Sequence, residues 1–367
     1  MRPGHTRRVA LDEQASRLLP RRAGRRSNLA LLALLLIAGG TGVLGFAVGT
    51  PVAGRVIAVA HGAAGLGLLL LVPWKTVVVR RARRRPAARR APGAAYWLTG
   101  LTAVVVLSGV LHAAGAAGIW ATSGTPIAAL QVHVGATIGL VVVLVAHVWG
   151  RRQRPRAVDL NRRTVLATGA LAGGSLALWG LTEGLWKATG TPGADRRGTG
   201  SLERGTDDPT AMPVTQWASD TVPETTATTV EVVAAAGRAR VAVTDLDRGD
   251  ELRALLNCTG GWYAEQDWRG VRLDRLLTEQ FGPTALTDRA QSIELVSVTG
   301  YRRRLPIADA SRVLLATHAG GKPLSSGHGA PVRLVAPDRR GVWWVKWVAR
   351  VEVLDSPAWL QPPFPLQ

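Results

Sequence analysis

The residue of this chain best suited to metal or covalent chemistry is its single thiol, Cys258. It lies in the segment LNCTGGWYAEQDWRGVRLDRLL (Leu256–Leu277), where two glycines and a tryptophan follow the cysteine. A thiolate binds soft metals well, and glycines let the backbone approach a bulky ligand. A lone cysteine excludes a disulfide within the chain. Three roles therefore stay open: metal ligand, nucleophile or inert buried residue.

A second group of chemically useful side chains lies near the C-terminus. His328, Arg333 and Lys346 stand among short strand-like runs in GHGAPVRLVAPDRRGVWWVKWVARVEV (Gly327–Val353). Three such groups converging on one point suit a phosphate, because charged donors make the strongest hydrogen bonds to it. The alternative is three exposed basic residues on an ordinary sheet.

Four of the seven histidines lie inside long apolar runs: His61, His112, His133 and His147. Ionisable side chains are costly inside a membrane and are functional there by default. His61 follows Pro51 by ten residues and His133 follows Thr125 by eight, so both imidazoles fall at a similar depth on two helices that run in the same direction. This pattern predicts two axial ligands of one haem b. A histidine hydrogen-bonded between helices is the alternative.

A second haem is harder to assign. His147 follows His133 by 14 residues on one helix, a rise of about 21 Å that returns to nearly the same face. The spacing resembles membrane b-type cytochromes that serve formate dehydrogenases and hydrogenases, in which histidines of a four-helix bundle hold two haems. Position 75, 14 residues after His61, is Lys75, so an inner haem lacks a second ligand. His112 is then an alternative outer ligand or a propionate or quinone contact, and His147 a proton carrier or packing residue.

The charge distribution points to a membrane rather than to nucleic acid. The net charge is +20, and residues 1–163 account for all of it with 23 Lys/Arg against 3 acids; the remaining 22 basic and 22 acidic residues cancel. The basic residues cluster between uncharged runs, as they do in cytoplasmic loops. Five runs are long enough to span a bilayer. They are Ser27–Gly54, Val56–Trp74, two within Ala91–Gly150 separated at Ala121–Pro126, and Thr164–Thr182.

Basic and neutral connections alternate along these runs, which predicts a cytoplasmic N-terminus and an extracytoplasmic C-terminal region. Tryptophans near the predicted helix ends suit the membrane interface; they are Trp74, Trp97, Trp120, Trp149 and Trp186. The segment NRRTVLATGALAGGSLALWG (Asn161–Gly180) resembles a twin-arginine export signal placed mid-chain, with an ordinary basic flank as the alternative.

Beyond the last apolar run, residues 187–224 are rich in Gly, Thr, Asp and Pro and predict a linker and an extended arm. Short β-like runs follow from about Thr229, with one helix expected at Val271–Phe281. The pattern predicts an α+β domain. The strand candidates are TVEVV, RVAVTD, SIELVSVT, RVLLAT, PVRLVAP and VKWVARVEVL.

The cysteine segment and the C-terminal segment together resemble the molybdopterin-binding domain of the sulfite oxidase family. The resemblance implies that Cys258 supplies a thiolate to molybdenum and that His328, Arg333 and Lys346 bind the phosphate end of the pterin. It covers roughly residues 195–355, including GTGSLERG (Gly198–Gly205) and MPVTQW (Met212–Trp217) in the arm. Because this cofactor is assembled in the cytoplasm, the resemblance also favours export of a folded domain by the twin-arginine route.

The sequence also departs from that family. We find no soluble haem module with a His-Pro-Gly-Gly core, and we expect no C-terminal dimerisation domain after Gln367. No arginine cluster that selects sulfite can be assigned. Arg302, Arg303 and Arg304 are adjacent, but we expect them to form a solvated strand edge. Sulfite is therefore not established as the substrate.

The sequence thus predicts a multi-domain protein in which an N-terminal all-α transmembrane bundle of about five helices precedes an α+β molybdopterin domain. The predicted parts are a basic cytoplasmic N-terminus (1–26), a cytochrome-like four-helix domain (27–150), a basic loop with the export motif and fifth helix (151–186), a linker and arm (187–224), and the oxidoreductase domain (225–367).

The predicted function is electron transfer between a small extracytoplasmic substrate and a membrane haem, with quinone as the partner in the bilayer. Three alternatives remain: a haem-only quinone cytochrome with a non-catalytic outer domain, a structural anchor without haem, and an enzyme served by a soluble redox partner protein.

Overall fold

A computed structural model of the chain describes residues 24–48, 51–83, 93–116, 128–149, 161–216, 220–224, 227–286 and 289–362. The chain divides into a helical unit that includes residues 56–194 and a mixed-sheet unit that includes residues 195–367. This division agrees with the predicted order of an all-α part followed by an α+β part.

The helical unit is built from long apolar helices. In chain order the helices are α1 (Arg25–Ala47), α2 (Pro51–Leu70), α3 (Val72–Arg83), α4 (Gly93–Ala113), α5 (Ala129–Trp149) and α6 (Arg162–Thr189). All except α3 contain a stretch long and apolar enough to cross a membrane, which confirms the prediction of five such helices among the described residues. The predicted break at residues 121–126, Trp120 and most of the basic connections lie outside the described residues.

Two helix boundaries differ from the predicted runs. The second run was expected to start at Val56 and to continue to Trp74, but α2 begins at Pro51 and ends at Leu70. Proline has no amide hydrogen and disturbs a helix that precedes it, so Pro73 accounts for the interruption before α3. Helix α6 starts after the N-cap Asn161, whose side chain accepts a hydrogen bond from the amide of Thr164.

Small residues let α2 and α6 pack closely. A Cβ atom placed on Gly62 would lie 2.9 Å from the Trp179 ring, and one placed on Gly67 would collide with Ser175. Close backbone approach at small residues is the usual basis of helix association in membranes. The fifth span is therefore part of the helical unit.

The mixed-sheet unit contains two sheets and one amphipathic helix, α7 (Leu273–Phe281). Its strands are β1 (Leu202–Glu203), β2 (Thr229–Ala234), β3 (Gly237–Ala242), β4 (Asp250–Asn257), β5 (Trp262–Arg272), β6 (Ser292–Ser297), β7 (Arg302–Pro306), β8 (Leu314–Ala319), β9 (Lys322–Pro323), β10 (Arg333–Val335) and β11 (Val348–Leu354). One sheet has the order β3-β2-β11-β6-β7. The other has the order β1-β5-β8-β10, with β4 also paired to β5 and β9 to β8.

Both sheets contribute to one continuous core. Trp268 of β5, Leu276 of α7 and Leu295 of β6 are all fully buried within it. The predicted strands and the predicted helix are present, and the helix starts at Leu273 rather than Val271. The α+β prediction is therefore confirmed.

The long β4–β5 hairpin was not predicted from the sequence. Its outward positions carry charges that pair across the strands, because Arg253 on β4 lies 3.3 Å from both Glu265 and Asp267 on β5. Residues along both strands alternate between buried and less buried positions, but the many charged residues make this alternation hard to recognise in the sequence. Cys258 and the turn that follows it are held at the end of this hairpin.

Candidate functional site

Cys258 lies in the tight turn between β4 and β5. Its amide donates a hydrogen bond to the carbonyl of Trp262 at 2.9 Å, and its sulfur accepts one from the amide of Gly260 at 3.3 Å. Gly261 has φ +85°, a conformation that favours glycine. The turn therefore fixes the sulfur and provides one hydrogen-bond donor to it.

The sulfur belongs to the lining of an open cleft. Small-molecule and cofactor sites are usually clefts with largely apolar walls and a few polar groups, as this one is. Its lining includes the aromatic residues Trp262, Trp344 and Tyr301 together with His328, Arg333 and Lys346. The structure thus brings together Cys258 and all three residues of the C-terminal segment that the sequence analysis selected.

Hydrogen bonds to the backbone hold the three C-terminal side chains in place. Arg333 donates to the carbonyl of His328 at 3.0 Å, and Lys346 donates to the carbonyls of Gly327 at 2.7 Å and Thr215 at 2.8 Å. The imidazole of His328 contacts the hydroxyl of Ser325 at 2.8 Å. These contacts fix the positions of the three groups and leave the charges of Arg333 and Lys346 unneutralised.

Neither Arg333 nor Lys346 forms an ion pair with a carboxylate among the described residues. Arg333 is 1% exposed, its Nε has no hydrogen-bond partner, and burial lowers its pKa to about 10. Burial, followed by the charge of Arg333, lowers the pKa of Lys346 to about 7. Burying unpaired cations is unfavourable, so this part of the cleft suits an anionic ligand.

The three adjacent arginines on β7 do not form the predicted solvated edge. Arg303 is 2% exposed, lies 4.1 Å above the Trp343 ring and donates to the carbonyl of Pro362. Arg304 pairs with Glu294 at 3.2 Å, and only Arg302 is exposed. None of the three is among the described residues that line the cleft.

Two further residues near the cysteine were not selected from the sequence. Tyr301 lines the cleft and donates its hydroxyl hydrogen to the carbonyl of Val342 at 2.5 Å, and burial raises its pKa. Arg340 lies buried beside Asn257, the residue before the cysteine. Only the fold brings either residue to the cysteine, so the sequence offered no signal for them.

The helical unit contains a second candidate site, formed by His61 of α2 and His133 of α5. Their ring centroids are 5.8 Å apart, with an angle of 76° between the ring planes. The Nδ1 atom of His61 lies 2.9 Å from the carbonyl oxygen of Ala38, and that of His133 lies 2.8 Å from the carbonyl oxygen of Val105. A carbonyl can only accept, so both Nδ1 atoms carry the hydrogen and both Nε2 atoms keep a lone pair for a metal.

Two glycines make room for these rings. A Cβ atom on Gly42 would lie 3.2 Å from the His61 ring, and one on Gly109 would lie 3.0 Å from the His133 ring. The other two membrane histidines lie elsewhere along the helices: His112 is in the last turn of α4 and His147 in the last turn of α5.

Residues 216–360 match the family model described as the oxidoreductase molybdopterin binding domain. This part of the chain is an oxidoreductase molybdopterin-binding domain. The matched segment contains the cysteine turn together with His328, Arg333 and Lys346, and it excludes the five long apolar helices.

Curated relatives resemble the molybdopterin-binding domain. The protein-methionine-sulfoxide reductase catalytic subunit MsrP of Xanthomonas campestris is 36% identical over 126 residues, which cover 29% of this chain and 39% of that protein. Human mitochondrial sulfite oxidase is 35% identical over 94 residues, covering 23% of this chain and 17% of that protein. The chain therefore spans less than half the length of these relatives. The solved sulfane dehydrogenase SoxCD from Paracoccus pantotrophus has a TM-score of 0.32 and 24% identity, covering 35% of this chain and 38% of that chain.

The residues of the cleft fit a molybdopterin. Among the described residues, no cluster of three or more His, Cys, Asp or Glu side chains could hold a metal ion. A metal bound at Cys258 would have no such set of protein ligands in the described part of the chain, and the dithiolene of a pterin would supply the missing ones. The unpaired Nε of Arg333 and the ammonium of Lys346 suit the negatively charged phosphate end of such a group.

Proposed function

We propose that this protein is a membrane-bound, molybdopterin-dependent oxidoreductase of sulfite oxidase type that transfers electrons between a small extracytoplasmic substrate and a haem in the membrane. The proposal rests chiefly on one observation: a thiol, a buried arginine and a partly buried lysine line the same cleft of the molybdopterin-binding domain, and neither cation has a carboxylate partner among the described residues.

Each cleft residue has a distinct proposed role. Cys258 provides the thiolate ligand of molybdenum, held by the Gly260 amide. His328, Arg333 and Lys346 bind the phosphate end of the pterin, and their contacts to backbone carbonyls keep them oriented before the cofactor arrives. When bound, the cofactor supplies two-electron oxygen-atom transfer.

His61 and His133 are the proposed axial ligands of one haem b. With metal–nitrogen bonds of about 2 Å, the centroids of two imidazoles on opposite sides of one iron lie about 6 Å apart. The distance of 5.8 Å and the two hydrogen-bonded Nδ1 atoms support this assignment. His112 remains a proposed quinone or propionate contact, and His147 a proton carrier or the ligand of a second haem.

The substrate we favour is uncharged at the reacting atom, as a sulfoxide is. The relatives are named for methionine sulfoxide and sulfite, and a dianion such as sulfite needs exposed cations. Arg302, Arg303 and Arg304 lie outside the cleft lining that the structure describes. The two lysine or arginine residues of that lining, Arg333 and Lys346, are assigned to the pterin phosphate, which leaves sulfite without a cation there and favours the sulfoxide. In the reductive direction, a sulfoxide takes up two electrons and two protons and releases a thioether and water.

The proposed location is the plasma membrane, with a cytoplasmic N-terminus and the molybdopterin-binding domain outside. Quinone is the proposed electron partner in the bilayer. Arg162 and Arg163 form the first turn of α6, where a twin-arginine signal would precede the last span. That route carries folded cargo, which a cofactor loaded in the cytoplasm requires.

The test is metal and pterin analysis of the full chain, purified in detergent from a host that makes the cofactor, beside the variant Cys258→Ser. We expect about one molybdenum per chain and a loss of sulfoxide reduction in the variant. The variant should retain pterin, because the phosphate-binding residues are unchanged. Full turnover without the thiol would contradict the assignment.

The alternatives predict different results. A haem-only cytochrome gives a Soret band without molybdenum, and a structural anchor gives neither. An enzyme served by a soluble partner keeps its turnover with that partner when His133 is replaced by alanine.

A further inference from the structure

The backbone of Arg340 lies directly beside the cysteine turn. Arg340 forms a parallel β-bridge with Asn257, the residue before Cys258. A Cβ atom placed on the next residue, Gly341, would lie 3.0 Å from the Cα atom of Cys258. The segment at residues 340–341 and the cysteine turn are therefore packed backbone against backbone.

The Arg340 side chain is 5% exposed and is hydrogen-bonded to neutral groups. It donates to the side-chain oxygen of Asn257 at 2.5 Å and lies 3.3 Å from the hydroxyl of Ser201. The amide of Asn257 in turn donates to the hydroxyl of Thr199 at 2.9 Å. These bonds tie the end of β4, and hence the start of the cysteine turn, to the guanidinium.

No carboxylate balances this buried charge among the described residues, and the Nε of Arg340 has no partner. The neighbouring Arg339 differs, since it forms an ion pair with Asp309. Burial lowers the pKa of Arg340 to about 10, and the ionised sulfur of Cys258 acts in the opposite direction. An uncompensated buried cation is costly, so nearby negative charge is expected to stabilise it.

We propose that Arg340 is a positioning residue for the metal ligand: it fixes the cysteine turn through Asn257 and holds a positive charge behind the Cys258 sulfur. The inference rests on the proposed function, because it assigns the negative charge to a metal-bound thiolate. Arg340 is not among the described residues that line the cleft, so it acts from behind the sulfur without touching a bound ligand.

The experiment compares three variants of the full chain loaded with cofactor. Arg340→Gln removes the charge and keeps a hydrogen-bond donor for Asn257, whereas Arg340→Lys keeps the charge and removes the planar fork. Arg339→Gln is the matched control, because it removes a neighbouring arginine whose charge Asp309 already balances. For each we measure molybdenum and pterin per chain, the midpoint potential of the metal in a redox titration, and the EPR spectrum of its paramagnetic state.

We expect Arg340→Gln to shift the midpoint potential downward, since losing a nearby positive charge destabilises the more negative, reduced centre. Arg340→Lys should recover the potential but give an altered EPR spectrum, because the cysteine turn has lost its fixed geometry. Arg339→Gln should match the wild type in both. A purely structural role for Arg340 would lower thermal stability and leave the potential unchanged.

Two outcomes would overturn the inference. One is an Arg340→Gln protein with the potential and spectrum of the wild type. The other is loss of molybdenum from both Arg340 variants while folding is intact, because lysine retains the charge. A wild-type chain without molybdenum would instead refute the proposed function, so the two failures are distinguishable.

Discussion

If His61 and His133 bind the proposed haem, replacing Gly109 with alanine should remove it from the helical unit while leaving the helices folded. The added Cβ atom would lie 3.0 Å from both Nδ1 and Cε1 of His133. That contact is tighter than an ordinary van der Waals contact, so the ring has to move by a few tenths of an ångström. Metal–ligand distances tolerate about 0.2 Å. The displacement is therefore at least as large as the tolerance of the iron–nitrogen bond.

Two other glycines of the helical unit, Gly42 of α1 and Gly100 of α4, provide controls with a weaker clash and with no clash. Gly42→Ala places a Cβ atom 3.2 Å from the His61 ring, a milder clash, whereas nothing lies within 4 Å of a Cβ atom on Gly100 of α4. Alanine is the better helix former, by about 1 kcal/mol, so none of the three changes should unfold its helix.

The assay is the haem content per chain and the reduced-minus-oxidised spectrum of detergent-purified protein, with His133→Ala as the reference for complete loss. We expect Gly109→Ala to lose most of the haem, Gly42→Ala to lose less, and Gly100→Ala to match the wild type. If Gly109→Ala kept full haem with an unchanged low-spin spectrum, ligation by His133 would be refuted.

Two further predictions concern the molybdopterin-binding domain. Trp268→Ala should destabilise the domain by about 3–5 kcal/mol, because the indole is fully buried and packs against Trp344. Thermal unfolding measures this loss, and replacing the exposed Trp359 by alanine should change the stability little. Sulfate should bind the cofactor-free chain up to about tenfold more weakly at about pH 8 than at about pH 6. The reason is that Lys346 loses its proton as the pH rises through its lowered pKa, whereas the charge of sulfate is constant near neutrality. Calorimetry with Lys346→Arg should give a flat profile, and a flat wild-type profile would contradict this argument.

The helical unit could be predicted from the sequence because a membrane span needs only length and apolar composition. Uncharged runs therefore identified the five spans. The ends of the spans were predicted less well. Pro73 interrupts the second run, whereas its apolar composition alone indicated one continuous helix. Imidazoles at matched depths also predicted that His61 and His133 would meet.

The cleft could be predicted only in part. His328, Arg333 and Lys346 were selected by residue type and then by the resemblance, and the fold brings them to one cleft. The β4–β5 hairpin was not predicted because its outward charged residues, which pair across the two strands, interrupt the apolar pattern in the sequence. The burial of the arginines on β7 depends on contacts with residues distant in sequence, which the sequence does not reveal. Arg303 is buried against Trp343, although its neighbours in sequence suggested an exposed edge.

The buried cations bear on how the molybdopterin-binding domain acquires its ligand. Arg333 and Arg340 are almost fully buried without a carboxylate partner in the described part of the domain, and Lys346 shares the cleft. A ligand that binds only the folded state stabilises it in proportion to its affinity, and an anionic ligand also removes the cost of these charges. The domain is therefore expected to be most stable when loaded. If the domain is exported as proposed, it gains from receiving its cofactor first, which agrees with the proposed twin-arginine route for folded cargo.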